Sequence, residues 1–193
     1  MFTCMNNIPN LLARKYNVYL SDKSIQKLNQ ALISVSYDED EIIISMNQVC
    51  RDIYIIEKGI VRQFYYKEGR DISEHFSCEG DIFFCTESLF LQKPTTLLVQ
   101  SIEPSVIHKL NYKKFEHLCD QYTDINQLYR RFVEQDLIET QKKADSWRFE
   151  NARDRYVQFC ANYPQVASRA SIAHIASYLL MTPETLSRIR SRK

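Results

Sequence analysis

The sequence predicts an α+β protein: an N-terminal double-stranded β-roll of jelly-roll type, one long central helix, and a C-terminal helix-turn-helix. Three observations predict it. The three glycines of the 193 residues all fall between Gly59 and Gly80, inside a run of short β-branched and aromatic segments. After Asn111 that texture gives way to helical periodicity. The last twelve residues, "TPETLSRIRSRK", read as a capped basic helix one tight turn away from another amphipathic helix.

Taken in order, residues 8–33 read as helical, with Ser21 as the cap before "IQKLNQALI". From about 34 to 110 the segments "EIIIS", "DIYIIEKGIVRQFYY", "ISEHFS", "DIFF", "TTLLVQSI" and "SVIHKL" are strand-like. The stretches "KEGR", "CEGD", "QKP" and "EPS" punctuate them as turns. Many short, closely spaced strands favour a barrel, sandwich or roll. A short helix follows over roughly 112–119. The parts are then expected at 1–122 for the roll, 123–147 for the central helix and 148–193 for the helix-turn-helix.

The central helix has two stripes. Val133, Leu137, Thr140, Ala144 and Trp147 step by 4, 3, 4, 3, a heptad-like seam that suits pairing with a second copy. Ile125, Leu128 and Phe132 form another stripe suited to the β domain. A single amphipathic helix packed on its own core explains the spacing equally well.

"ENARDRYVQFCANYPQV" reads as a further helix, ended by Pro164. Ile172, Ile175, Ala176 and Leu179 then share one face at i, i+3, i+4, i+7. Four residues on, a second helix is expected to begin, with Thr182 as its N-cap and Pro183 at the first helical position. Glu184 suits the positive end of the helix dipole, and Leu186 and Ile189 pack inward. Glu184, Ser187 and Arg188 fall on the opposite face. In a helix lying in the major groove, Arg pairs with guanine O6 and N7, Glu accepts from cytosine N4, and Ser serves either base class. The bland reading of the same trio is a solvated Glu–Arg pair worth about 0.3–0.5 kcal/mol. A preceding helix, a tight turn and local charge favour the DNA reading.

Net charge is +1 over the chain, which argues against a protein that binds nucleic acid through bulk charge. Residues 164–193 hold Arg169, Arg188, Arg190, Arg192 and Lys193 against Glu184 alone. That is +4 there and hence −3 elsewhere, the asymmetry of a modular DNA binder. The six cysteines (Cys4, Cys50, Cys78, Cys85, Cys119, Cys160) are scattered without a C-x-x-C pair. They are expected as small apolar side chains in a reducing cytoplasm, with no metal site. No apolar run reaches membrane-spanning length and no signal peptide opens the chain, so no membrane role is expected. His75 and His108 are lone strand histidines, expected to be structural rather than haem ligands.

Together these residues resemble the Crp/Fnr family of bacterial transcription regulators, over nearly the whole chain. "DIYIIEKGIVRQFYYKEGRDISEHFSCEGDIFF" is similar to the family's cyclic-nucleotide-binding-type roll, with Gly59, Gly69 and Gly80-Asp81 at its turns. "NYKKFEHL" resembles the stretch that closes the roll, and "ARDRYVQFCANYPQV" the helix before the helix-turn-helix. "IAHIASYLLMTPETLSRIR" resembles the DNA-reading motif. The resemblance implies a homodimer on double-stranded DNA, with RNA polymerase as a further candidate partner and a small effector in the roll. "ETLSR" fits the E-x-x-S-R pattern of the Fnr branch, which implies palindromic TTGA-like half-sites. Expected DNA contacts are Thr182, Glu184, Thr185, Ser187 and Arg188. Arg169, Arg190, Arg192 and Lys193 would grip phosphates in a head lacking a full wing.

The sequence also departs from the family. The Gly-Glu pair that holds ribose in cyclic-AMP binders falls, counted without gaps, on Phe84-Cys85. The Arg-Ser pair that holds phosphate falls on Thr95-Thr96. Without the Arg, a cyclic phosphate loses its charge-assisted partner, so cyclic AMP is not expected to bind in the usual mode. Thr140 falls where the central helix would meet the base, and is also simply a seam residue. The Fnr branch's iron–sulfur cysteines are not recognisable. The effector is left unknown. A ligand-independent DNA-binding regulator is the alternative, and a cupin-like metal enzyme a remote one, since the strand region offers only His75 and His108. Leu180 or Met181 is expected at positive φ in the turn, where many such motifs place Gly.

Overall fold

The computed structural model describes residues 8–191. The N-terminal helical stretch divides into α1 (Ile8–Lys15) and α2 (Asp22–Ala31). Asn17 adopts φ 51° between them, which no helix continues through. Ser21 caps α2, its hydroxyl accepting from Ser24 N–H at 3.3 Å. Ile33, expected in the helix, instead opens the first strand, as a β-branched residue prefers.

Eight antiparallel strands make two four-stranded sheets. One runs β1 (Ile33–Tyr37), β8 (Ser105–Asn111), β3 (Asp52–Lys58), β6 (Ile82–Phe83). The other runs β2 (Ile42–Ile44), β7 (Leu98–Ser101), β4 (Val61–Lys67), β5 (Arg70–Ser77). This is the strand order of a jelly roll. β3 is buried on both faces, Ile53 to Ile56. Ile53 and Ile55 face helices, meeting Leu12, Leu28, Phe115 and Leu128 around a small apolar gap. A one-residue slip against β8 (Ile53 opposite Leu110) would exchange these faces.

A short helix, α3 (Thr86–Leu91), follows β6 and was not expected from the sequence. After the roll come α4 (Tyr112–Gln121) and α5 (Thr123–Phe149). Ile125, Leu128 and Phe132 of α5 are buried in the roll's main core. Burying each such side chain contributes about 1.5–3 kcal/mol.

Pro164 does more than end a helix. α6 (Ala152–Asn162) stops before it, and Pro164 opens a new helix, α7 (Pro164–Arg169). At the first position its missing N–H leaves no hydrogen bond unmade, so proline starts a helix as readily as it stops one. α8 (Ile172–Tyr178) and α9 (Pro183–Ser191) complete the helix-turn-helix. Leu180 sits at φ 53° in the turn, one of the two positions anticipated. A second core joins this unit to the roll: Ile60 and Phe76 pack with Phe159, Ile175, Tyr178 and Leu186. Ser177 Oγ also accepts from Ser73 N–H of β5 at 2.6 Å. Among the described residues no helix is long and apolar enough to cross a membrane.

Gly59, between β3 and β4, has φ +105°, and a Cβ there would lie 2.1 Å from Ser105 Oγ. Replacing it by Ala combines backbone strain with a clash. Gly59→Ala is expected to lower unfolding free energy by at least about 1–3 kcal/mol, measured by urea titration.

Candidate functional site

Two places gather polar chemistry: the outer face of α9, and the space between the roll and α5. In α9 the cap forms as its residues dictate, with Thr185 N–H donating to Thr182 Oγ1 at 3.2 Å. Leu186 is fully buried and Ile189 half-buried, so the opposite face is turned outward. Glu184, Ser187 and Arg188 are all exposed there and line one shallow hollow with Ile172 and Pro183. Thr185 is half-buried, its hydroxyl hydrogen-bonded to that of Thr182 at 3.2 Å. Glu184's own N–H and the Thr182 hydroxyl hold its carboxyl below the usual range, leaving an acceptor group at neutral pH. The Arg188 guanidinium has no hydrogen-bond or ion-pair partner among the described residues.

The expected phosphate grips are placed differently. Arg169 pairs with two carboxylates of roll loops, Glu79 at 2.9 Å and Glu103 at 2.8 Å. At the end of α7 it faces two turns that supply acids, and a planar fork satisfies both. Arg190 is half-buried, reaching the Ala167 carbonyl at 3.4 Å and lying 6.0 Å from the Tyr156 ring. Arg169 therefore ties the helical unit to the roll, and Arg190 braces that unit internally. Arg192 and Lys193 lie outside the described residues.

Along α5 the two stripes separate. Beyond the buried Phe132, Val133 and Leu137 are 39% and 66% exposed, and Thr140 is exposed. Ala144 and Trp147 are half-buried. Between this helix and the roll lies a cavity of about 470 Å³, within the range of small-molecule sites. Phe84, Phe90 and Phe132 make its aromatic wall, with Phe84 edge-on to the other two at 5.6 and 5.7 Å. Glu74 and His75 of β5 and Asp136 and Lys143 of α5 supply polar groups. Tyr163, at the end of α6, also reaches this cavity.

Residues 34–122 match the family model for the cyclic nucleotide-binding domain. No curated protein sequence matches the chain. Among solved structures the chain is similar to FixK2 from Bradyrhizobium japonicum, at TM-score 0.71 and 20% identity over 83% of each chain. It is similar to a CooA variant from Carboxydothermus hydrogenoformans, at TM-score 0.70 and 18% identity over 99% of this chain and 85% of that one. A Crp/Fnr-family regulator from Eubacterium rectale aligns at TM-score 0.66 and 13% identity over 88% of this chain and 82% of that one. The chain thus has the Crp/Fnr fold, from roll to helix-turn-helix.

Of the residues expected at the pocket, Phe84 of the roll and Thr140 of α5 line the cavity, while three others do not. Cys85 turns into the core, hydrogen-bonded to Cys50. Thr95 is buried, and its hydroxyl accepts from Leu97 N–H at 3.0 Å within its own loop. Thr96 is exposed. Counting without gaps cannot see that α3 intervenes after Thr86 and redirects the chain. Sequence reasoning missed Gln63, Glu74, His75, Phe90, Asp136, Lys143 and Tyr163 at the cavity. On α5, the stepping of Phe132, Asp136, Thr140 and Lys143 by 4, 4, 3 was a legible signal for one shared face. His108 has a plain structural partner, Glu57 Oε2 at 2.6 Å. His75 does not, and faces the cavity instead.

The electrostatics of the cavity are those of a desolvated place. Burial pulls His75 down to about 4, aided by Lys143, so its ring is neutral near pH 7. Burial likewise lowers Lys143 to about 8, against the pull of Glu74 and Asp136. Burial, then Glu139, pushes Asp136 above the usual carboxylate range. His75 gives a signed consequence. The unfolded chain takes up a proton at this ring from about pH 6.5 downward, whereas the folded chain resists until about 4. Stability is therefore lost as pH falls through that window. In melts between pH 7 and 4.5, His75→Gln is expected to lose stability less steeply than the parent chain.

Proposed function

We propose that this protein is a homodimeric, sequence-specific DNA-binding transcription regulator, gated by a small effector in the cavity between roll and α5. The observation that carries the reading is the outward, exposed trio Glu184, Ser187 and Arg188 on a capped helix whose other face is buried, with the Arg188 guanidinium unpartnered among the described residues. Phosphates suit the helix N-terminus and Thr182, while Arg188 supplies the bidentate guanine contact. The E-x-x-S-R pattern favours palindromic TTGA-like half-sites. The partly exposed Val133–Leu137 stripe supports pairing through α5, which would present two heads about one helical turn, roughly 34 Å, apart.

A connected set of side chains supports gating over the ligand-independent reading. Tyr163 touches the cavity and packs edge-on to Tyr178 of α8 at 6.1 Å. Lys143 lies 4.6 Å from the Trp147 ring and 5.0 Å from that of Tyr178. An effector that prefers one placement of Tyr163 and Lys143 shifts the helix-turn-helix by its differential affinity for the two arrangements.

In gel-shift titrations at fixed salt, a TTGA-type palindrome is expected to bind more tightly than a scrambled duplex. Arg188→Ala should erase about 1–3 kcal/mol of that discrimination per half-site. Equal binding to both duplexes by the parent chain would sink the reading. Leu137→Glu places a charge in the seam and is expected to shift sedimentation from dimer to monomer without lowering the melting temperature of the monomer.

A further inference from the structure

The walls of the cavity say which chemistry it accepts, and the reasoning rests on reading it as the effector site. Its aromatic side is Phe84, Phe90 and Phe132, and among the described residues Lys143 is the one cationic side chain in its lining. The Lys143 ammonium donates to the Glu74 carbonyl, lies against the Trp147 and Tyr178 rings, and is attracted by the Glu74 and Asp136 carboxylates. Three carboxylates line the same space. Glu139 accepts from Gln135 Nε2 at 3.0 Å, but the carboxylates of Glu74 and Asp136 have no hydrogen bond or ion pair among the described residues. Burial, then the neighbouring Glu139, makes Asp136 hold its proton unusually well despite the nearby Lys143.

A second observation is independent of these acids. The His75 ring lines the cavity, half-buried and neutral near pH 7, and has no hydrogen-bond partner among the described residues. A neutral imidazole offers a lone pair to an N–H donor. The polar side of the cavity therefore offers acceptors without a hydrogen bond among the described residues, at Glu74, Asp136 and His75. A metal ion is not the fit, since among the described residues no three His, Cys, Asp or Glu side chains converge as metal ligands.

We propose that the cavity binds an organic cation: an ammonium group carried on an aromatic or otherwise apolar body. The ammonium meets Asp136 and Glu74 and donates to His75, while the body lies among Phe84, Phe90 and Phe132, whose ring faces also favour a cation. An anionic cyclic nucleotide faces the reverse, three carboxylates and a committed lysine. Thr86 and Thr140 add only neutral polar groups to the lining.

The test uses the full-length protein without DNA, so its result is separate from the gel-shift that judges the regulator reading. Tryptamine and phenethylamine are compared with indole-3-propionate, 3-methylindole and cyclic AMP by thermal shift and calorimetry, since ligands of the native state raise its melting temperature. The amines are expected to bind at least about tenfold more tightly than the anion of matched ring. Asp136→Asn should weaken the amines about tenfold while leaving 3-methylindole unchanged, and Glu74→Gln should act in the same direction. The proposal is overturned if the propionate or cyclic AMP binds as tightly as the amines. It is equally overturned if neither amine shifts the melt at millimolar concentration, or if Asp136→Asn leaves amine affinity intact.

Discussion

The burial of Ile125, Leu128 and Phe132 against the roll is the contact on which the rest of the molecule depends. These residues are 0, 1 and 6% exposed, and they hold α5 along one side of the β domain. Once that stripe is inside, helical geometry leaves little choice for the others. Asp136, Thr140 and Lys143 lie along the cavity, and Val133 and Leu137 reach the rim and the open surface. Phe132 makes the joint rigid, meeting Tyr16 at 5.8 Å and Phe84 at 5.7 Å. One packed side chain of the central helix thus touches both the turn after α1 and the cavity wall.

The helix-turn-helix is not an appendage on a free hinge in this structure. Phe76 of β5 enters its core, 5.4 Å from Tyr178 and 6.3 Å from Phe159. Ser73 and Ser177 join the same strand to α8, and Arg169 clasps Glu79 and Glu103. The aromatic core resists small displacements because packed interiors deform in steps rather than continuously. The surface ion pairs are weaker and exchangeable. Tyr163 and Lys143 thus connect the cavity to a docked unit rather than to a loosely tethered one.

The same comparison shows why two arginines that look alike in sequence differ in the fold. Arg188 projects from the outer face of α9 with no partner among the described residues, whereas Arg190, two residues on, turns back to Ala167 and Tyr156. A two-residue step on a helix is about 200°, so the two cannot share a face. Charge counting pooled them, and geometry separates them.

Much of the architecture was legible from the chain alone. Turn residues and short β-branched runs mark a roll, helical stripes mark α5 and α8, and Thr182-Pro183 marks the start of α9 because capping is local chemistry. The outward trio follows from 3.6-residue periodicity once Leu186 and Ile189 are known to pack inward. Only tertiary structure decided the rest. Whether Pro164 ends or begins a helix depends on which carbonyl its missing N–H would have served. Which residues line the cavity depends on α3, whose six residues give too little periodicity to read. Where Arg169 points depends on acids 90 and 66 positions away, brought near only when both sheets close. Local bonding is written in neighbouring residues; a cavity is written in residues that the sequence keeps far apart.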